Sequence, residues 1–575
     1  RMKNQTGRDI DMSKLGDVWA NLVAITEEMG IIMRKTAHCP EIREASDFSA
    51  GIFDNKGQLV AQGNFSPAQL GSMPFLVKSI LRDWFPPEKW QPGDCVLTND
   101  PTLNSGHLCD IYEVAPVFFE GQLVSFVSII CHEIDVGGAV PGSQGTIEVE
   151  ELVNEGIHLY PIKFYKQGEI NEELSNIIAW NVRDPETLLG DLKAQRGALE
   201  HQGLVRITKL FERYGVETMF AFYEEIMKRT EMYTRQRISK LPDGEYTAVD
   251  YFDDYGPGTD PIKVKVTVKV KGDEIVVDYA GTGPQVPIGT NTHLNYSRAY
   301  AVQAIKSMLT PDIPMSEGDY RAIKVVAPEG CFVNPRPTAA CGGRAINGNT
   351  LGSAVLAAIA PLFPDRATAA YSSLTHLSFG GIDHRTGRPV ADVMLFCGGH
   401  GARACADGVE DTGAHMMSNA PAEVMEVAYP VRIERFSVVP DSGGVGKYRG
   451  SPAFRKDVRC LYHESRSNVL SERVKFGPPG LAGGKPGRKT SYTLYRHDGG
   501  PPQELEGKAN YHFKYGDVIS VVVAGGGGYG NPLERDVALV EEDVAKGYVT
   551  IEGALRDYGV EIDAKTGKGR RVRFP

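Results

Sequence analysis

The sequence predicts a mixed α/β protein of more than one domain, and three observations carry that prediction. The chain has 575 residues, more than a single hydrophobic core organises. Helical texture runs almost unbroken from residue 184 to about residue 239. After about residue 425 it gives way to short alternating strands between glycine turns. Boundaries near 240 and 425 follow. They define an N-terminal region over 1–240, a mixed central region over 241–425, and a β-rich region over 426–575 with a short helical tail.

The elements justify this in order. Apolar residues at helical spacing in KLGDVWANLVAITEEMGIIMRK, residues 14–35, predict an opening helix. DFSAGIFDNKGQLVAQG alternates around Asn55-Lys56-Gly57 as a hairpin does. Two further apolar runs, Ile111–Phe119 and Leu123–Cys131, are separated only by a stretch around Glu120-Gly121. So short a link cannot carry a parallel crossover, and the runs must form an antiparallel hairpin. A loop, DVGGAVPGSQG, follows. At Asp184-Pro185-Glu186 an N-cap Asp, a first-turn Pro and an acid start the long helical segment, which LPDGEY ends. IKVKVTVKVKGDEIVVDYAG predicts a strand pair turning at Gly272-Asp273, and helices are expected at 297–309 and 350–361. The tail ERDVALVEEDVAKGYVTIEGALRDYGV reads as two short helices.

Composition narrows the function. Sixty-two basic residues against 73 acidic ones give −11, which argues against nucleic acid and anionic membrane as main partners. An apolar fraction of 42% with 23% charged residues is that of an ordinary globular protein. There is no 18-residue apolar run and no basic stretch leading into an apolar one, so neither a membrane span nor a secretory signal is visible. The nine cysteines are scattered without a CxxC pair, which fits a reducing compartment, and the expected location is cytoplasmic.

The chemistry concentrates at the hairpin. His107 and Asp110 precede its first strand and His132 ends its second. Reflection about Gly121 sets Asp110 opposite residue 131 or 132, with His107 three residues further out on the same side. Two neutral imidazoles and a carboxylate suit Zn²⁺, Mn²⁺ or Fe²⁺ with positions left for water or substrate. The plainer alternative is a set of hydrogen-bonding residues at a strand end. Asp135 is a candidate to orient His132 or another ligand. Asp47 and Asp54 are both available as a general base, and the sequence leaves open which of them faces the site.

Other motifs carry less. DSGGVGKY lacks the first glycine of a P-loop and has Tyr448 where Mg²⁺ binding needs Ser or Thr. This loop, CGGRAING and AGGGGYG read mainly as tight turns. GGHGARACADG stands apart, because His400 and Arg403 lie among glycines that can admit an anionic group or substrate. Cys131 adjoins His132, but strand neighbours point to opposite faces and do not make a Cys–His pair; Cys109 and Asp110 share the difficulty.

Long motifs then place the chain. PGDCVLTNDPTLNSGHLCDI, HEIDVGG, VNEGIHLYPIK, NVRDPETLLGDLKAQ, DIPMSEGDYRAIKVVAPEG and GGGGYGNPLERD follow one another along nearly its whole length. In these stretches it resembles the B subunit of the hydantoinase/oxoprolinase family. The resemblance implies that His107, Asp110 and His132 hold a catalytic divalent metal, zinc with manganese or iron as alternatives, and that Asp47 is the base. Three positions depart from the pattern of many relatives: Cys109 where they have Pro, Glu133 where they have His, and Gln69 where they have His. The family pattern implies an A-type partner subunit that binds ATP and Mg²⁺, in an (AB)2 heterotetramer. That partner phosphorylates a cyclic amide (a hydantoin, 5-oxoproline or lactam), which metal-activated water then opens. A subunit of a related ATP-dependent ketone carboxylase is the rival within the family. A non-catalytic assembly subunit with structural histidines is the rival outside it.

Overall fold

The computed structural model describes residues 2–3, 9–410 and 417–572. Residues 1, 4–8, 411–416 and 573–575, which fall in the three predicted regions, lie outside the described residues. The architecture is mixed α and β, with a large sheet at its centre. Its strands are β1 (Phe48–Asp54), β2 (Leu59–Gln62), β3 (Cys95–Thr98), β4 (Asp110–Phe119), β5 (Gln122–His132), β6 (Ile162–Lys166) and β7 (Glu169–Ile170). They lie in the order β2-β1-β5-β4-β3-β6-β7, every neighbour antiparallel.

The expected hairpin is β4–β5. Its two turn residues, Glu120 and Gly121, have φ of 49° and 79°. Left-handed geometry at both positions is what a two-residue hairpin turn needs to match the twist of its strands. Near the turn Phe119 pairs with Gln122 and Phe118 with Leu123, but the register shifts at the next step, where Val117 pairs with Ser125. Val124 is therefore an extra residue. This bulge sets Asp110 opposite His132; the unshifted register would have set it opposite Cys131.

Both faces of the sheet are buried, and alternate residues feed two different cores. On β5, Val127, Ile129 and Cys131 enter one core while Phe126 and Ile130 enter the other. On β4, Ala115 and Val117 split from Tyr112 and Val114 in the same way. The period of two is thus present, but water reaches neither face, and the strands read as nearly continuous apolar runs. The opening helix, Leu15–Thr36, covers the first face through Val18, Leu22, Ile25 and Met29. Helices Pro67–Ser79 and Leu294–Leu309 pack on each other at the second.

The long helical segment begins where expected, with Asp184 accepting a hydrogen bond from Thr187 N and Pro185 at the first helical position. It is one continuous path through Pro185–Ala198, a wider turn at Leu199–Leu204 and Val205–Tyr214. Gly215, with φ of 78°, breaks it before Val216–Ile238. Four smaller sheets follow among the described residues. One contains Gly244–Phe252, Ile262–Lys271, Glu274–Asp278 and Ile323–Val326. In the next, Leu374–Asp383 pairs with both Arg388–Cys397 and Glu464–Ser471. The stretch Arg344–Leu362 is long and apolar enough to cross a membrane, but most of it is buried and its helix packs against Leu294–Leu309.

The glycine motifs differ from the expected tight turns. GGHGARACADG, DSGGVGKYRG and AGGGGYG run side by side as extended chains linked by backbone hydrogen bonds, such as Gly444 N to Gly526 O at 2.8 Å and Ala402 N to Gly527 O at 2.8 Å. Apart from Gly530, whose φ is 75°, glycine is required here by approach rather than by φ. A Cβ on Gly444 would stand 2.2 Å from Gly528 N, and one on Gly450 would stand 2.0 Å from Gly526 O.

Candidate metal centre

His107, Asp110 and His132 converge where β4 begins and β5 ends. Their ligand atoms all lie within 4.8 Å of one another, and all three side chains are buried. Asp110 Oδ1 stands 2.9 Å from His107 Nε2 and 3.1 Å from His132 Nδ1. The two ring nitrogens are 3.2 Å apart. His107 is delivered by a tight loop in which Asn104 Nδ2 donates to the carbonyls of both His107 and Asp110.

Each donor is oriented from behind. His107 Nδ1 lies 3.0 Å from the Gly342 carbonyl, which accepts its proton and leaves Nε2 with a lone pair toward the centre. His132 Nε2 lies 3.0 Å from the Gln144 amide. The Gln144 oxygen has no partner, so exchanging its O and N lets it accept the His132 Nε2 proton and leaves Nδ1 as the free donor. The second oxygen of Asp110 is held by Arg344 and Ser105, so one carboxylate oxygen remains for the centre.

The electrostatics favour the ligand forms of His107 and Asp110. Burial, helped by Arg344, lowers the His107 pKa to about 4, so it is neutral. Burial opposes the charge of Asp110, but His107 and Arg344 outweigh it and hold its pKa well below the usual carboxylate value. Burial also disfavours the His132 imidazolium, yet the bond to Asp110 and the charge of Asp47 raise its pKa overall. A proton on His132 in that position takes the place a cation would occupy. Burial pushes Asp47 up to about 6 against the pull of His132. Gln69 Nε2 donates to Asp47 at 2.7 Å, and Ser49 Oγ donates to Gln69 at 2.9 Å. The residues together enclose a cavity of about 20 Å³, room for one ion or one water. The donor types, their spacing and their outer partners fit a divalent transition metal.

The sequence profile of hydantoinase B/oxoprolinase matches residues 11–532. The chain belongs to that family. It is 30% identical over 568 residues to the caprolactamase subunit beta of Pseudomonas jessenii, covering 96% of this chain and 97% of that one. The crystal structure of the ATP-dependent caprolactamase from the same organism superposes with a TM-score of 0.89 at 28% identity, over 97% of this chain and 98% of the other. A nucleotide-free acetone carboxylase shares the fold with a TM-score of 0.90 at 18% identity, over 97% of this chain and 81% of the other.

Within this hydantoinase B/oxoprolinase chain, the structure sorts the remaining predicted residues. Asp47 lines the cavity with the three ligands. Asp54 sits at the far end of β1, where it accepts from the backbone of Lys56 and Gln58 and caps its own hairpin. Asp135 does not orient His132: it accepts from Gly137 N, Gly142 N and Arg183, and so pins the following loop. Neither His400 nor Arg403 lines the cavity. His400 stacks edge-on to Tyr371 at 5.0 Å, and Arg403 lies on the glycine layer in backbone bridges with Thr368 and Ala406. Of the three departures from the family pattern, only Gln69 reaches the site; Cys109 and Glu133 are buried elsewhere.

Arg344 and His376 also line the cavity, and sequence reasoning passed over both. Arg344 lies 234 residues from the carboxylate it holds, in the CGGRAING stretch that reads as a turn. No local pattern marks it. A lone Arg amid glycines between buried segments is the one signal available.

Proposed function

We propose that this chain is the metal-bearing B subunit of an ATP-dependent cyclic-amide hydrolase, working with an A-type partner as an (AB)2 assembly. An amide is a poor electrophile, and phosphorylation of its oxygen by a partner holding ATP and Mg²⁺ makes the carbonyl carbon attackable by water. The observation that carries the reading is the buried His107, Asp110 and His132 set, with donor atoms within 4.8 Å. A divalent ion held there, zinc or alternatively manganese or iron, supplies Lewis acidity toward water and the acyl oxygen.

The chain's own residues do the rest. His107 is a neutral donor oriented by Gly342 O, and His132, oriented by Gln144, would become one as a bound ion takes the place of its proton. Arg344 and Ser105 hold the far oxygen of Asp110, so the near one stays aimed inward. Asp47, buried at the cavity wall and steadied by Gln69, takes the proton of the attacking water and returns it to the ring nitrogen as the C–N bond breaks. The acyl phosphate so formed loses phosphate to a second water to give the free acid. Likeness to a caprolactamase at 28–30% identity, against 18% for the acetone carboxylase, supports the hydrolase over the carboxylase reading.

Metal analysis of the wild type beside His107→Ala, Asp110→Ala and His132→Ala tests the reading. Roughly one transition metal per chain is expected, lost in each variant with the fold intact. Lactam-dependent ATP turnover with the partner should vanish in parallel. A metal-free wild type, or metal kept in all three variants, would overturn it.

A further inference from the structure

The metal cavity, at about 20 Å³, admits one ion or water and no ring. Directly behind part of its wall lies a second cavity of about 470 Å³, the scale of small-molecule sites. The two share one short partition. Ser66, Ala68 and Gln69 face the metal cavity, while Phe65, Leu70 and Gly71 face the larger one.

We propose that the larger cavity receives the cyclic amide first, and that the Phe65–Gln69 turn is the partition the ring displaces to reach the metal. The proposal rests on the hydrolase reading for its choice of ligand. The chemistry of the lining matches that class. Val23, Leu70 and Ile313 supply apolar wall for methylenes. Gln62 lines the same space, and its amide oxygen, covered by the wall and without a hydrogen-bond partner, is the acceptor that displacement of the wall would uncover for the N–H of a ring amide.

The partition is seated on Phe65. Phe65 is seated over two glycines, Gly30 and Gly63, where a Cβ would come within 2.4 Å and 2.3 Å of its ring. Gly30 lies inside the helix Leu15–Thr36, where glycine is a destabilising choice, and the Phe65 ring is what occupies the space it leaves. The next residue, Ser66, is the N-cap of helix Pro67–Ser79, yet its side chain makes no capping bond. Beside that ring, the turn is tied by Ser66 O, which accepts from Ser49 Oγ at 3.3 Å and from Leu70 N at 3.0 Å, and by Gln69 on Asp47, so a ligand that displaces Phe65 also moves Gln69 and, through it, Asp47.

The test is equilibrium binding of δ-valerolactam to the full chain, by calorimetry, with folding checked by circular dichroism. Gln62→Leu should weaken binding about tenfold by removing the acceptor. Ser307→Phe, which fills the cavity from its rim, should abolish it. His107→Ala should bind within about twofold of wild type, because the ring need not meet the metal. Loss of binding in His107→Ala, unchanged binding in Gln62→Leu, or no saturable binding in wild type would each overturn the proposal. A metal-free protein that still binds lactam in this pattern would sink the metal reading and leave the cavity assignment standing.

Discussion

Asp110→Asn is the sharpest perturbation, because it is nearly isosteric and removes one charge from a buried network. In the folded chain that charge faces the Arg344 guanidinium on one oxygen and two imidazoles at 2.9 Å and 3.1 Å on the other. At about 3 Å and an effective dielectric of about 20, a unit pair attracts by roughly 5 kcal/mol. Desolvation consumes much of this, but removing one partner leaves the other buried and unpaired, at a cost of about 3–5 kcal/mol. Arg344 is 4% exposed and its Nε already lacks a partner, so it cannot turn to water for relief.

The expected result is a large fall in the urea midpoint for Asp110→Asn in chelator. The loss for Arg344→Met should be smaller, since Asp110 keeps His107, His132 and Ser105. The double variant should recover a coupling of about 1–3 kcal/mol. Metal content separates stability from function: it should be lost in Asp110→Asn and in the double variant, and kept in Arg344→Met. Additive losses in the double variant would refute the buried pair, and metal retained by Asp110→Asn would refute the ligand assignment.

Other outcomes follow from the same structure. Burial, opposed by Arg196, raises the Glu113 carboxyl from 4.5 to about 8. Between those values the folded chain holds a proton that the unfolded chain has released, so stability falls as pH rises, by at most about 1.4 kcal/mol per unit. Glu113→Gln should therefore lose less thermal midpoint than wild type between about pH 5 and 8, and equal slopes would exclude this account. Gly450→Ala puts a Cβ 2.0 Å from the Gly526 carbonyl and should unfold the glycine layer, whereas Gly197→Ala, with open space at that position in a helix, should raise the midpoint slightly. Arg403→Ala should leave metal content and lactam turnover within about twofold, as a residue outside the cavity would; a tenfold loss of turnover would return it to the substrate site.

Much of the site was legible because its ligands are local. His107, Asp110 and His132 belong to one hairpin, and a two-residue turn forces its ends together whatever the rest of the chain does. The helices at 15–36 and 185–198 were equally readable, since the periodicity of the first and the Asp184 cap of the second are properties of short stretches. Asp135 misled for the same local reason: nearness in sequence placed it beside His132, while its carboxylate is drawn to Arg183 and the loop amides. The glycine motifs misled because a sequence shows that a Cβ is absent but not whether φ or a neighbouring chain demands it.

By itself, then, the sequence determined the mixed α/β class, the family motifs, the hairpin and the three donors, all set by short-range backbone geometry. Only the tertiary structure decided that Val124 is the extra residue that turns His132, and not Cys131, toward Asp110. It alone chose Asp47 over Asp54, and brought Arg344 and His376 to the same cavity. Those choices depend on register and on packing between segments hundreds of residues apart, and no local periodicity encodes either.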